Sequence, residues 1–303
     1  MTLPLHELAA LGAAACWALT GTLVTGAVRE VGPFRFNLLR HVLVILLLSA
    51  VILFRQPSGL MDHHAALVLI FSGLIGIFFG DTMNFAAVGR LGARRAGAIF
   101  ALNAPMAAVL GWTVLGETLS LLATIGIVVT VAGVAVAIIG RPAANAHRFE
   151  QTEGIILTGI LFGLGAALGQ AVGALISRPV MASGIDPYAA SLLRVAASGL
   201  CMGVLGGVMT AGRRGTAPAR PITTEVFVAA LATAALGLGL GMTLLLYALS
   251  GGKVGIVSTL SATSPVLILP MLWLRTGQRP TAASWAGAAI ACLGMALIFL
   301  RDG

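Results

Sequence analysis

Pro33-Phe34-Arg35-Phe36-Asn37-Leu38-Leu39-Arg40 opens one apolar run, and Pro187-Tyr188-Ala189-Ala190-Ser191-Leu192-Leu193-Arg194 opens another. Proline, an aromatic residue, Leu-Leu and arginine return in register 154 positions later. Further on, Gly80 and Thr82 return as Gly241 and Thr243, Pro105 as Pro265, and Gly126 and Gly133 as Gly287 and Gly294. The chain therefore reads as two copies of one unit. Apolar stretches of membrane-spanning length, about 20 residues each, fall near 5–28, 34–54, 65–89, 95–115, 120–140, 154–177, 187–210, 225–249, 254–274 and 282–300. Each copy then holds five spans. An odd number inserts the second copy upside down relative to the first, and two such copies enclose a site at their interface that can open to either side of a bilayer.

Composition supports lipid as the main solvent. The 303 residues are 58% hydrophobic and 9% charged, with a mean hydropathy of +1.02, whereas ordinary globular chains carry about 25% charged residues. The runs are apolar all round instead of alternating with period two, which excludes barrel strands. The fold class expected is all-α: a polytopic membrane protein of ten transmembrane helices, arranged as two inverted five-helix repeats around a central cavity. No basic residue precedes the first apolar run, so it reads as a retained helix and not as a cleaved leader. Cys16, Cys201 and Cys292 fall inside spans without CxxC spacing and read as small packing residues.

The net charge of +8 comes from 18 basic residues scattered singly or in pairs, with no stripe that would suit nucleic acid. They serve better as markers of orientation. Arg29, Arg35, Arg90, Arg94, Arg95, Arg141, Arg148, Arg213, Arg214, Arg220, Arg275 and Arg279 fall on one side, against Arg55, Arg178, Lys253 and Arg301 on the other. Loops rich in Lys and Arg stay cytoplasmic, so this bias puts both termini outside. Arg40 and Arg194 lie about two turns into their spans, where a long side chain can snorkel to the interface.

Read together, Gly80-Asp81-Thr82, Phe85-Ala86-Ala87, Leu91-Gly92-Ala93-Arg94-Arg95-Ala96, Asn103-Ala104-Pro105, Leu115-Gly116-Glu117 and a glycine-spaced fifth span resemble the repeat of the drug/metabolite transporter superfamily, EamA branch. The second copy departs from it by having Gly277-Gln278 where the first has Gly116-Glu117. The resemblance implies residues 1–140 as one EamA-like five-helix repeat, 141–152 as linker and 153–303 as the second repeat. It implies a cavity lined mainly by spans 1, 3, 4, 6, 8 and 9, and export or exchange of small metabolites such as amino acids, aromatic or hydrophobic ones included, across a bacterial cytoplasmic (inner) membrane. It also implies termini inside, opposite to the charge bias.

Asp81 is the sharpest candidate residue. Eight residues from the end of span 3 it sits roughly 12 Å deep at 1.5 Å per residue, where a carboxylate is costly unless paired or facing water. Its counterpart in the second copy is Met242, so packing is symmetric while charge is not. Such an acid suits proton coupling or pairing with a substrate amine; the alternative is a structural carboxylate held by Arg40, Arg90 or a hydroxyl. Asn84 shares the face of Asp81, with Phe85 beside it, and Asn103 precedes Pro105. Both amides donate and accept, as a small zwitterion requires. Trp17 and Thr20 in span 1, Gln170 in span 6, Thr243 and Tyr247 in span 8, and Ser261 and Thr263 in span 9 complete the candidate substrate-binding set. Pro105 and Pro265 each remove a backbone donor in mid-span and are expected to kink the helix as gating points.

One arginine per copy is thin equipment for phosphorylated cargo, which favours clustered bidentate arginines. Neutral or zwitterionic cargo ranks higher. No Gly-x-Ser-x-Gly elbow, HExxH, paired-acid or P-loop pattern occurs, so catalysis and cofactors are not expected. His63-His64 with Asp62 is a weak metal candidate, and a channel would need a ring of like residues. The expectation is a secondary transporter whose partners are a small-molecule substrate, the lipid bilayer and protons as coupling ion; a proton-coupled multidrug exporter is the alternative.

Overall fold

A computed structural model describes residues 5–55, 61–115, 120–139, 154–211, 221–252, 254–277 and 279–299, and the linker 141–152 lies outside them. All the regular structure in these residues is helical. In the first half the helices are α1 (Leu5–Val31), α2 (Pro33–Arg55), α3 (His63–Gly73), α4 (Gly80–Leu91), α5 (Ala93–Phe100), α6 (Asn103–Leu115) and α7 (Leu121–Ile139). In the second half they are α8 (Ile156–Ala182), α9 (Pro187–Ala211), α10 (Thr224–Ala232), α11 (Met242–Gly251), α12 (Val254–Ser261), α13 (Ser264–Thr276) and α14 (Ala282–Phe299). Seven helical stretches among the described residues are long and apolar enough to cross a membrane, and three shorter apolar helices cover 124–137, 266–276 and 282–297.

Two local irregularities recur. The stretch from α3 to α4 is continuous through a π-helical segment, Leu74–Phe79, and the stretch from α10 to α11 is continuous through another, Thr233–Gly241. Helix α5 stops and α6 restarts across Ala101–Leu102, and α12 gives way to α13 across Ala262–Thr263. The turns are tight: the Leu102 N–H meets Ile99 O at 3.0 Å, and the Thr263 N–H meets Leu260 O at 3.3 Å.

This places the breaks just before the prolines rather than at them. Pro105 lies in the first turn of α6 and Pro265 at the very start of α13, where a missing N–H and a fixed φ suit a new helix. The carbonyls four residues upstream, deprived of their usual donors, find local partners: Ala101 O accepts from the Ala104 N–H at 3.2 Å, and Ser261 O accepts from Ser264 Oγ at 3.0 Å.

Contacts run between the halves. α1 packs against α10, α11, α12 and α13, while α8 packs against α3, α4, α5 and α6. α2 lies on α9, and α7 on α14. The α7–α14 seam is close enough to need glycine: a Cβ at Gly133 would stand 2.3 Å from Ala291 N, at Gly287 2.5 Å from Ala137 N, and at Gly294 2.4 Å from Thr130 N. Small residues on one face let backbones meet where lipid supplies no hydrophobic drive.

The polarity of the molecule is inverted relative to a water-soluble protein. Phe54 is 90% exposed, Leu274 88% and Leu121 78%, while Asn37, Arg40, His41, Gln170 and Arg194 are buried. Arg94 and Arg95, counted above with the loop cations, are also buried in the first turn of α5, where Arg94 donates to Ser284 Oγ at 2.7 Å and Ala137 O at 3.3 Å. Arg94 ties α5 to α7 and α14, and neither arginine marks a loop.

Candidate functional site

The π segment Leu74–Phe79 hands directly into α4, so Asp81 enters on the first turn after a locally widened helix. Widened turns of this kind occur mostly as insertions inside α-helices, frequently at functional sites. Gly173 permits α8 to touch the segment, since a Cβ there would lie 2.9 Å from the Gly76 Cα, and a Cβ at Gly76 would lie 3.1 Å from Arg194 Nη2. Ser72 Oγ donates to Gly173 O at 2.7 Å and pins the same crossing.

From α2, Arg40 donates through Nη2 to Asp81 Oδ2 in a salt bridge whose side chains are 7% and 19% exposed. Phe85, one turn after Asp81, presents its ring face to the guanidinium with Arg40 Cζ 4.5 Å from the centroid. Phe36 braces Phe85 edge-on at 5.5 Å. Asn37 donates to Thr82 Oγ1 at 3.3 Å, and Thr82 in turn donates to Phe78 O at 2.5 Å, occupying a carbonyl of the π segment. The guanidinium is thus fixed by a carboxylate and an aromatic face together. The structural partner expected among several for Asp81 is Arg40, and Arg40 is held inward by it instead of snorkelling.

The second half builds the same frame with different chemistry. Thr243 Oγ1 donates to Gly239 O at 2.6 Å, repeating the Thr82 contact. Arg194, 1% exposed, stands where Arg40 does but points Nη1 at Met242 Sδ, 3.3 Å away, where the first half has a carboxylate. Trp17 closes the second π segment by donating Nε1–H to Gly237 O at 3.1 Å and packs edge-on against Phe100.

These elements enclose a cavity of about 90 Å³. Trp17, Thr20, Gly21 and Val24 of α1, Arg40 of α2, Asp81, Asn84, Phe85 and Val88 of α4, and Ala93, Gly97 and Phe100 of α5 form its first-half wall. Gln170 of α8, Gly237, Leu238 and Met242, and Ser264 and Ile268 of α13 form the other. An ion pair, two amides and two hydroxyls share the space with three aromatic rings, a lining able to orient a polar head and shelter an apolar tail. A larger opening of about 480 Å³ lies beside the last turns of α1 and the start of α10, with Glu30, Glu225 and Arg275 at its margin. Arg275 donates to Thr22 O across that margin.

Of the residues singled out from sequence, Trp17, Thr20, Asp81, Asn84, Phe85 and Gln170 meet on the wall. Asn103, Thr243, Tyr247, Ser261 and Thr263 do not line it. Asn103 Nδ2 donates to Phe100 O at 2.7 Å across the helix break, Ser261 Oγ to Ser258 O at 3.1 Å, and Thr263 Oγ1 to Leu260 O at 2.7 Å. Hydroxyls in apolar helices commonly donate to a carbonyl of the preceding turn, and those of Ser261 and Thr263 are used in this way. Tyr247 is 36% exposed and stacks on His6 at 5.0 Å. Asp62, beside His63 and His64, caps α3 by accepting from the Ala65 N–H at 2.6 Å. Arg40, named above as a partner for Asp81, lines the wall as well, as do Ser264 and Met242, which fell outside the candidate set. The one available sign was the pairing of Asp81 with Met242 across the two halves.

The chain matches the EamA-like transporter family over residues 5–139 and again over 157–300. It belongs to that family. An uncharacterized transporter of Archaeoglobus fulgidus is 31% identical over 86 residues, a match spanning 28% of this chain and 31% of that protein. The crystal structure of another protein superposes over 98% of this chain and 96% of its own, with a TM-score of 0.71. At 20% identity that likeness is one of fold. The chain is accordingly a multi-pass membrane protein of a transporter family.

Proposed function

We propose that the chain is a secondary transporter of small metabolites, amino acids above all, and that Asp81 and Arg40 receive the cargo. In this reading residues 1–140 and 153–303 are five-helix repeats of opposite orientation joined by 141–152, giving ten membrane crossings in a cytoplasmic membrane. Support comes from the matched π segments, the matched helix breaks and the reciprocal packing of α1 and α8 on the opposite halves. Access alternates as the half-helices on either side of Ala101–Leu102 and Ala262–Thr263 rock about the cavity.

The observation that carries the reading is the Arg40–Asp81 ion pair on the wall of a mixed polar and aromatic cavity. A zwitterion can exchange with it: the ammonium takes Asp81 and the carboxylate takes a guanidinium, so no charge is left bare in a low-dielectric site. Asn84, Gln170 and Thr20 offer donors and acceptors to the same head group, and Trp17, Phe85 and Phe100 face the side chain. Export is the direction adopted, with protons as coupling ion.

Uptake of labelled amino acids by vesicles reconstituted with the purified protein, with and without a pH gradient, tests the proposal. Accumulation that depends on the protein and responds to the gradient is expected. Equal flux in protein-free vesicles over the whole amino-acid panel refutes it.

A further inference from the structure

We infer that Arg194, screened from the cavity by Met242, is the seat of a carboxylate carried by the cargo. The inference rests on the transport reading above and names the chemistry its substrate must bring. Asp81 and Met242 occupy matching places after the two π segments, and Arg40 and Arg194 matching places on α2 and α9. Each arginine reaches the residue at that place in its own half: Arg40 finds a carboxylate, Arg194 a thioether. A sulfur at 3.3 Å is a weak acceptor, and among the described residues Arg194 Nε has no hydrogen-bond partner.

Two buried guanidiniums therefore share the single negative charge of Asp81. A buried cation without a full counter-charge is costly, and a structure keeps one where something else supplies the anion. Met242 is the movable part. Its side chain lies on the cavity wall and touches Arg194 from behind, and an unbranched thioether changes rotamer at little cost. Swinging it aside exposes the guanidinium to the cavity, where a planar carboxylate can accept two parallel N–H bonds. The ammonium of the same cargo then faces Asp81. Amines lacking the acid leave Arg194 uncompensated and are poor cargo.

The test uses the purified full-length protein in detergent, in chloride-free sulfate buffer, and reads melting temperature against added sodium formate, the smallest carboxylate. Formate should stabilise the wild type in a saturable way, and Arg194→Gln should abolish the effect. Met242→Asp supplies internally the missing carboxylate: it should melt no lower than wild type and be insensitive to formate. An equal formate response in Arg194→Gln, or a saturable chloride response as strong as that to formate, overturns the seat.

A second arm compares phenylalanine, 3-phenylpropionate and 2-phenylethylamine. At least a tenfold preference for the two acids, lost in Arg194→Gln, is expected from a charge-assisted hydrogen-bond pair. Preferred binding of the amine overturns the seat while leaving transport of amines intact. A formate response without binding of any amino acid overturns the amino-acid reading and leaves the seat standing.

Discussion

Replacing Asp81 by Asn keeps the shape of the side chain and removes its charge. Arg40 is 6% exposed and has one carboxylate partner, so the change strands a guanidinium in the protein interior. Breaking a buried pair from one side costs about 3–5 kcal/mol. The amide oxygen can still accept from Arg40, and the Phe85 face 4.5 Å away still holds the cation, which favours the lower end, about 3 kcal/mol. Arg194 adds to the cost, because Asp81 acts electrostatically on both guanidiniums and its loss leaves them unshielded. Neutralising both partners in Arg40→Gln/Asp81→Asn removes the Arg40 charge but still leaves Arg194 without Asp81, so it should recover only part of the loss, leaving about 2 kcal/mol. Reversible unfolding in mixed micelles of the wild type, both single variants and the double variant gives the coupling energy, expected at about 4 kcal/mol from about 3 for each single variant less about 2 for the double. A coupling below about 0.5 kcal/mol would mean that the two side chains are not partners, and the account of the site would fail with it. Transport should be lost in Asp81→Asn even where membrane insertion is normal.

The remaining expectations concern packing, the second π segment and orientation. Gly133→Ala and Gly287→Ala drive a Cβ into the backbone of the facing helix and should each cost about 1–3 kcal/mol in the same unfolding assay. Gly203→Ala, with nothing within 4 Å of the added carbon, should be neutral or stabilising by up to about 1 kcal/mol. Trp17→Phe deletes the indole bond to Gly237 O and should lower stability by about 1 kcal/mol while weakening cargo affinity, measured by melting and by uptake kinetics. A reporter fused to the carboxyl end should be active outside the cytoplasm if the Lys/Arg bias governs insertion; activity inside would show that packing of the two halves overrides it.

The helices were legible because their information is compositional: about 20 apolar residues between polar breaks is a length that lipid imposes. The sequence-derived stretches 65–89 and 225–249 fall within the two long helical runs His63–Leu91 and Thr224–Gly251. The π segments inside those runs were invisible for the same reason. One extra residue in a turn shifts a periodic pattern, and a helix apolar all round has no pattern to shift. Prolines announced a disturbance in spans 4 and 9 but misplaced it, since Pro105 and Pro265 each begin the new half-helix and the cost falls on the residues before them.

Arg40 and Arg194 show where counting along one helix stops being informative. A position two turns from a helix end lets a long side chain reach water, and the helical Cβ vector even leans toward the N-terminus, which favours that route. What decides the direction is on other helices: Asp81 and Phe85 draw Arg40 inward from α4, while the backbone of Gly73 closes on the carbonyl of Arg194, where a Cβ would be 2.5 Å away. Depth in a span sets the cost of a charge, and the neighbours set its use. The comparison of the two halves recovers part of what counting loses, because a scaffold that repeats its threonine-to-carbonyl contact at Thr82 and Thr243 has no packing reason to change Asp81 into Met242. Within a frame that repeats this threonine-to-carbonyl bond, Asp81, Asn84 and Phe85 stand against Met242, Leu245 and Leu246, so the polar and aromatic groups of this turn belong to the first half alone.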